Sequence, residues 1–243
     1  MARLAFDDLG IFNVAFELRF DESFLLWDRA GALWSEVAAA FPDLKRQHVE
    51  PARVVFASIG APVERELTVE IGRMGFVEYN PDRQLKRFAE AVDRFVEIVK
   101  AQLRPDQFQR TGLRTIFRKE FAGPEDAAEP LLAMGFHQVL VAPEKLFGVP
   151  GPSIQPELSL RREDGKNGFA IRLKAETQRI ELPPIPGWPE LALPIAKTRH
   201  WLLLDVDCYI QTAISVDALA TEEWILQTVH VIKRDCAQLL DGL

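Results

Sequence analysis

The segment IFNVAFELRF, residues 11–20, has an apolar side chain at every even position, with asparagine, alanine, glutamate and arginine between them. Because successive side chains of a strand point to opposite faces of a sheet, this alternation predicts a strand with one buried face. Segments 110–118, 169–174 and 201–212 alternate in the same way, with Ile116 as an interruption. One-sided burial is typical of an antiparallel sheet that carries its helices on a single face.

A helical period appears between these strands. One apolar stripe recurs at spacings of three and four residues and predicts a long helix over 82–103; it consists of Phe88, Val92, Phe95, Val99 and Leu103. The same period predicts helices over 22–40, 124–134 and 217–240. The helix over 22–40 offers Leu26, Trp27, Ala30, Leu33, Trp34 and Val37 for packing.

Two places carry boundary signals. Segment 65–79 is long and shifts phase near Gly72 and Gly75, which predicts a bulge or a sharp coil within the strand. Asn80, a capping residue, is followed by Pro81, and this pair predicts the start of the long helix.

The order strand, helix, two strands, long helix occurs twice, over about residues 10–104 and 107–241. This doubling predicts a single α+β domain over residues 1–243, built from two pseudo-symmetric halves. We expect one antiparallel, curved sheet with the long helices packed on one face. The core of this domain should contain Phe16, Phe88, Phe95, Val206, Cys208 and Trp224.

Composition and charge narrow the classes of function. The 243-residue chain carries a net charge of −7 at pH 7, which gives no broad attraction to nucleic-acid phosphates. Its longest apolar runs, such as residues 201–204, are far shorter than the roughly 20 residues of a membrane span. Asp7 and Asp8 stand where a signal peptide has its apolar stretch, so we expect a cytoplasmic protein. From the net charge and the short apolar runs we expect it to bind neither nucleic acid nor membranes.

The exposed face of the predicted sheet is the first candidate for a binding surface. Several arginines on one face can hold carboxylates or phosphates bidentately, and Arg110, Arg114, Arg172 and Tyr209 should all lie there. Arg118 should lie on the same face. A proline-rich loop at 183–194 carries Trp188, which we expect to form one wall of the site. A second proline-rich connection covers 143–156. This face predicts an acidic protein partner or a small anionic ligand.

The alternative for the same face is a solvated surface of mixed charge. Glu17, Glu157, Asp205 and Asp207 should lie among the arginines and would neutralise them in cross-strand pairs. A catalytic reading is also open: Asp205 and Asp207 stand roughly 7 Å apart on one strand face, where two carboxylates can hold a divalent cation. That reading predicts a metal-assisted hydrolase, although no third ligand has a spacing that completes a site.

Motifs of other catalytic classes do not occur in the sequence. The four histidines have no metal-ligand spacing, and no nucleophile elbow, phosphate loop or dinucleotide fingerprint is present. Cys208 and Cys236 fall on apolar faces and are predicted to be buried, unreactive thiols. The sequence therefore favours a binding or assembly protein without a cofactor, acting with a protein partner or as a homo-oligomer.

Three short motifs occur in order along the chain: FELRF at 16–20, GLR at 112–114 and LDVD at 204–207. Together they resemble a sporadically distributed family of uncharacterised prokaryotic proteins of about this length, and the resemblance covers nearly the whole chain. In that family the middle motif usually continues with an aromatic residue and an asparagine. Here those places hold Thr115 and Phe117, so a ligand role of that asparagine would be absent. The resemblance implies no activity.

Overall fold

The computed structural model describes residues 4–50, 52–58, 64–133, 145–146, 149–150, 156–182 and 195–241. The helices in these ranges are α1 (Leu25–Ala40), α2 (Lys86–Leu103), α3 (Pro124–Leu131) and α4 (Thr221–Asp241). The strands are β1 (Gly10–Phe20), β2 (Leu44–Glu50), β3 (Arg53–Ser58), β4 (Glu64–Glu70), β5 (Arg73–Tyr79), β6 (Gln107–Phe121), β7 (Lys145–Leu146), β8 (Val149–Pro150), β9 (Glu157–Glu163), β10 (Asn167–Leu182), β11 (Ile195–Ile210) and β12 (Ile214–Ser215).

Ten of these strands form one sheet in the order β2-β3-β4-β5-β1-β6-β11-β10-β9, with β12 paired to the end of β6. Every pairing in it is antiparallel. The sheet is curved and does not close into a barrel. The predicted α+β class and the antiparallel, curved sheet with helices packed on it are therefore confirmed. Among the described residues, β7 and β8 form a separate two-stranded sheet with each other.

The core fills the space between one face of the sheet and the helices. Phe16 lies opposite Phe76 on the neighbouring strand, and both rings point towards the helices. The ring of Phe76 meets Phe88 and Phe95 of α2 edge-on, with centroids 5.5 and 6.0 Å apart. Phe16 makes the same kind of contact with Trp224 of α4 at 6.1 Å. Aromatic rings thus join both long helices to the central strands.

The core prediction holds for most of its members. Four of the expected residues are buried: Phe16, Phe88, Phe95 and Val206. Cys208 and Trp224 are partly buried and pack against the same cluster. The stripe that predicted α2 is wholly inside, because its side chains all turn towards the sheet.

β1 and β6 pair at the centre of the sheet, and further strands are added on each side of this pair. From β1 the sheet continues through β5, β4 and β3, and from β6 it continues through β11, β10 and β9. The predicted order of elements was wrong in one respect, because the first half has four strands between its helices rather than two. The β2–β3 hairpin was missed because β3 is buried almost continuously and shows no alternation. The pseudo-symmetry of the two halves stays a prediction.

Two predicted boundaries are also wrong. Segment 65–79 is not one bulged strand, because β4 and β5 form a tight hairpin that turns at Ile71 and Gly72. The helix α2 begins at Lys86, several residues after Pro81. The carboxylate of Asp82 accepts hydrogen bonds from the backbone N–H groups of residues 84 and 85, both at 2.9 Å. That local bonding forms a turn before the helix, as aspartate side chains often do.

Helix α1 differs from its prediction in the face that it buries. Leu26, Leu33 and Val37 are buried, but Trp27 and Trp34, expected on the same stripe, keep 57% and 40% of their surface exposed. Phe24, just before the helix, is 56% exposed and contacts Trp27 edge-on at 5.4 Å. The helix therefore turns a second, aromatic stripe away from the core.

Most residues of the two proline-rich connections are not among the described residues. Trp188 and the whole of 183–194 lie outside the described residues, as does most of 143–156. No helix in the described part of the chain combines the length and the apolar character that crossing a membrane requires.

Candidate functional site

The polar face is the side of the sheet turned away from the helices. The strand register places the predicted binding residues on it, because Arg114 pairs with Asp207 and Arg172 pairs with Asp205 across neighbouring strands. Tyr209 stands two residues further along the same strand. The prediction that these side chains share one surface is confirmed. It succeeded because residues two apart along a strand point to the same face of the sheet.

The arginines of this face are paired with its acids. The guanidinium of Arg114 donates to both carboxylate oxygens of Asp205, at 2.8 and 2.7 Å. Arg110 bridges two strands by donating to Glu17 at 2.8 Å and to Asp207 at 3.1 Å. The hydrogen bonds that Arg114 donates to Asp205 raise the pKa of Arg114 above its ordinary value. The centre of the polar face is thus a network of mixed charge.

The outer strands extend the same network. Arg172 lies 3.0 Å from a carboxylate oxygen of Glu157. The Tyr209 hydroxyl donates to Glu163, and that hydrogen bond holds the pKa of Glu163 below its usual range. Arg114 and Arg172 border a shallow hollow of about 180 Å³ beside Asp205 and Asp207. Of the predicted binding residues that the structure describes, each already has a partner within the chain.

Asp205 and Asp207 are held by arginines rather than turned towards a common point. Burial raises the pKa of Asp207 above its ordinary value, although Arg110 and Arg114 act against the shift. Among the described residues, no group of three or more histidine, cysteine, aspartate or glutamate side chains lies close enough together to hold a metal ion. The geometry at these two acids is that of salt-bridge acceptors.

A different cluster lies on the polar face where β1, β6 and β11 meet. We call it the arginine–aromatic cluster; it consists of Phe12, Tyr79, Arg118, Arg199 and Trp201. The guanidinium carbon of Arg118 lies 4.0 Å from the centre of the Phe12 ring and 5.3 Å from that of Trp201. Tyr79 supports Phe12 edge-on at 6.2 Å. A cation held against aromatic faces in this way is a stable cation–π arrangement.

Two positive charges share this cluster. Arg199 reaches the Trp201 ring at 6.0 Å and approaches Glu120 only to 3.9 Å. Burial lowers the pKa of Arg118 below its ordinary value, and the charge of Arg199 lowers it further. Within the described part of the chain, Arg118 forms no ion pair, and the buried Nε of Arg199 has no hydrogen-bond partner. Glu120 therefore balances part of the charge at Arg199, whereas the partly desolvated charge of Arg118 has no ion-pair partner among the described residues.

The sequence predicted Arg118 on the polar face, but it did not predict the aromatic residues around it. Phe12 was expected on the buried face, yet the strand register shifts between Ile11 and Asn13 and places Phe12 on the polar face. A bulge of this kind re-aims one side chain. Trp201 is 7% exposed although it lies on the polar face. It stands at the start of segment 201–212, where residues 201–204 are all apolar, so the alternation of this segment becomes clear only from Leu204 onward.

The two cysteines agree with their prediction as unreactive thiols. Burial raises the pKa of Cys208 and of Cys236 to about 12 in each case. Since the thiolate is the nucleophilic form, neither cysteine is suited to nucleophilic chemistry near neutral pH.

Comparison with known proteins gives no family for the chain. No family model matches it, and no curated protein matches it. Two solved structures show faint likeness. The NMR structure of PA4090 from Pseudomonas aeruginosa has 12% identity and a TM-score of 0.25, and the match covers 37% of this chain and 82% of that chain. The AdoMetDC-delta26 monomer of Trypanosoma brucei has 8% identity and a TM-score of 0.32, over 82% of this chain and 65% of that chain.

Neither likeness is strong enough to support a statement about fold or function. The resemblance to a sporadically distributed prokaryotic family likewise stays a prediction. What the chain does has to be argued from its own side chains.

Proposed function

We propose that this chain is a binding protein without catalytic activity, which uses the polar face of its sheet to hold an anionic group of its partner. One observation carries the proposal. Arg118 is partly buried, stacked against Phe12 and Trp201, and close to a second cation at Arg199. Among the described residues no carboxylate forms an ion pair with Arg118, so an incoming anion would meet a charge that is still uncompensated.

The geometry of the cluster suits a carboxylate or phosphate. A guanidinium that stacks on a ring keeps the edge of its plane free, and this edge carries the N–H donors that bind such groups bidentately. Partial burial strengthens the attraction, because the effective dielectric constant is lower than in water. Two aromatic walls also give an ordered ligand apolar surface to contact.

The arginines predicted from the sequence have a secondary place in this proposal. Arg110, Arg114 and Arg172 are already bonded to acids of the same face. A partner that bound them would have to displace those acids, which offsets much of the gain. A binding role for these residues, for Tyr209 and for Trp188 stays a prediction.

The substitution Arg118→Gln tests the proposal. We expect it to weaken binding of the acidic peptide hexaglutamate about tenfold or more, because a hydrogen bond to a charged group contributes about 1.5–3 kcal/mol. Isothermal titration calorimetry at low salt measures the two dissociation constants. Inorganic phosphate, titrated in parallel, shows whether a single small anion is sufficient.

The matched control is Arg172→Gln, which removes the same charge from the same face. Its guanidinium is already bonded to Glu157, so we expect the affinity to change by less than about twofold. A neutral Gly-Ser hexapeptide controls for peptide backbone binding. The proposal fails if hexaglutamate and the neutral peptide bind equally, or if the two arginine variants behave alike.

For the assembly role we propose a second copy of the chain as partner, docked on the outer stripe of α1. The stripe consists of Phe24, Trp27, Gly31 and Trp34. Its exposed aromatic surface amounts to roughly 350 Å², since a large aromatic side chain presents roughly 150–250 Å² when fully exposed. That is about half of the roughly 800 Å² per partner in a standard interface, so we expect a weak, concentration-dependent dimer.

The spacing of the stripe favours a two-fold pair. In an antiparallel pair of α1 helices centred near Gly31, Trp27 of each copy would face Trp34 of the other, which makes the surface self-complementary. Nothing lies within 4 Å of the place where a Cβ of Gly31 would stand, so a second helix can approach closely there.

We expect Trp27→Glu to abolish this dimer, because it places a charge in an apolar contact. Sedimentation equilibrium over about 1–100 µM protein covers the affinity range of a weak interface. The control Val231→Glu introduces the same charge at another exposed apolar position, on α4, and should leave the association unchanged. A wild-type protein that stays monomeric at every concentration contradicts the assignment, as does an unaltered dimer in Trp27→Glu.

The alternative function, a metal-assisted hydrolase centred on Asp205 and Asp207, stays a prediction. No observation favours it over the binding role, because both acids accept hydrogen bonds from arginines. The cytoplasmic location also stays a prediction.

A further inference from the structure

A cavity of about 400 Å³ lies on the helix side of the sheet, opposite the polar face. It opens between a short turn of 3-10 helix at Phe6–Asp8, the beginning of β1, the end of β6 and one face of α4. Its size falls within the range of pockets that hold small molecules. None of the residues proposed above to bind a partner lines it.

The inner wall of this cavity is apolar. Phe117 of β6 contacts Phe6 edge-on, with ring centroids 5.0 Å apart. Leu9, Ile11 and Ala237 complete the wall. A wall of this kind favours a ligand with a compact hydrocarbon or aromatic body, because burying that body removes apolar surface from water.

The rim of the cavity is basic. Lys233 and Arg234 lie on the cavity face of α4, one turn after His230, and Arg83 faces them from the segment before α2. Asp7 is the acid among the lining residues. This local excess of positive charge contrasts with the net charge of −7 of the whole chain.

Two of these cations are held by backbone oxygens instead of carboxylates. The guanidinium of Arg83 donates to the carbonyl of Asp7 at 2.6 Å and to that of Leu9 at 3.3 Å. The ammonium of Lys233 donates to the carbonyl of Arg83 at 2.6 Å. In the described structure neither group has an ion-pair partner, whereas Arg234 pairs with Asp235. The carbonyls fix the two cations in place and leave their charge uncompensated.

We propose that this basic cavity binds an amphipathic anion: a short acyl chain or aromatic ring that bears a carboxylate or a phosphate. The body lies against Phe6 and Phe117, and the head group lies at the rim, where Arg83 and Lys233 have donors left for it. Binding requires both parts, because the wall offers no polar partner and the rim offers little apolar surface.

Decanoate is the probe for this site. Isothermal titration calorimetry should give a saturable, one-to-one binding isotherm with the wild-type protein. Butyrate, which lacks most of the body, should bind at least about thirtyfold more weakly. Decanol, which lacks the charge, should bind at least about tenfold more weakly. Decyl phosphate, titrated in parallel, identifies the preferred head group by comparison with decanoate.

Two variants test the two ends of the cavity independently. Lys233→Gln removes a rim charge, and Ala237→Leu fills part of the apolar wall; each should weaken decanoate binding about tenfold. Lys86→Gln is the matched control, because it removes the same charge from a lysine that pairs with Glu90 outside the cavity. We expect its affinity to stay within about twofold of the wild type. Melting curves of all variants confirm that they are folded.

Several results overturn the proposal. It is wrong if decanoate does not bind, if decanol or butyrate binds as tightly as decanoate, or if Lys233→Gln and Ala237→Leu both bind it like the wild type. The proposal is independent of the function assigned to the polar face, because Arg118 points away from the cavity. Arg118→Gln should therefore leave decanoate affinity unchanged, so that failure at one site is distinguishable from failure at the other.

Discussion

Replacing Phe95 by alanine is expected to lower the free energy of unfolding by about 3–5 kcal/mol, the largest single effect that the fold predicts. The side chain has no exposed surface, and its ring meets Phe41 and Phe76 edge-on at 6.5 and 6.0 Å. Alanine would remove one of the two aromatic contacts of α2 with Phe76 and leave a cavity that the surrounding strands cannot close. Urea denaturation, followed by circular dichroism, measures the change.

Phe24→Ala is the control for this substitution. It makes the same chemical change at a ring that is 56% exposed, so we expect a loss below about 1 kcal/mol. The measurement belongs at low protein concentration, where association through the α1 stripe does not contribute. Equal losses for the two variants would show that α2 does not pack on the sheet through Phe95.

The alternation of side chains was sufficient to predict the main strands and the membership of the polar face. Period two fixes which residues share a face, and this is why Arg114 and Asp205 were expected together. Alternation does not give the register between strands. Asp207 is the direct neighbour of Arg114 across the sheet, yet Arg114 bonds to Asp205. That choice depends on how far the side chains reach, and it appears only in the structure.

The arginine–aromatic cluster was beyond the reach of the pattern for two physical reasons. A single inserted residue in β1 reverses the facing of Phe12, and nothing in a run of alternating residues announces such a bulge. Trp201 begins a run of four apolar residues, so the polarity of its neighbours does not show which face of the sheet its side chain takes. Arg118 was therefore predicted as one of several arginines, without the rings that distinguish it.

Helix α1 shows a related limit. Leu26 and Trp27 are adjacent, and so are Leu33 and Trp34, so two apolar stripes run side by side along one helix. A helical period alone assigns both stripes to the core. Packing decides between them: the leucines are buried against the sheet, and the tryptophans stay at the surface. The sequence thus indicated a helix but not the aromatic surface that it leaves exposed.

Replacing Glu78 by alanine is the second large effect that we expect, with a loss of about 2–3 kcal/mol in the free energy of unfolding. Glu78 lies on the helix side of the sheet and is 4% exposed. Its carboxylate accepts a hydrogen bond from Nε of Arg65, 2.7 Å away on the neighbouring strand. Without Glu78, the ion-pair partner that this guanidinium keeps among the described residues is Asp43, at 3.7 Å. The cause of the loss is a charge close to the core that no longer has its near partner.

Chemical denaturation of a double-mutant cycle separates the pair from the side chains that form it. We expect Arg65→Met/Glu78→Leu to be less destabilised than the sum of its single variants, and to lie within about 1 kcal/mol of the wild type, because apolar residues can replace a buried ion pair. The exposed pair of Lys86 and Glu90 is the control, and Glu90→Ala should cost less than about 0.5 kcal/mol.

The outcome of this cycle distinguishes two explanations for a charged pair inside the fold. If the double variant is stable and Glu78→Ala is not, the pair contributes little net stability, and the loss in the single variant is the cost of leaving Arg65 near the core without the carboxylate of Glu78. Alternation expects an apolar residue at position 78, after Met74 and Phe76 on the same face. The hairpin turn at Ile71 and Gly72 brings Arg65 opposite Glu78, so the pair is also a marker of the β4–β5 register. A Glu78→Ala variant that unfolds at the same urea concentration as the wild type would contradict the buried pairing itself.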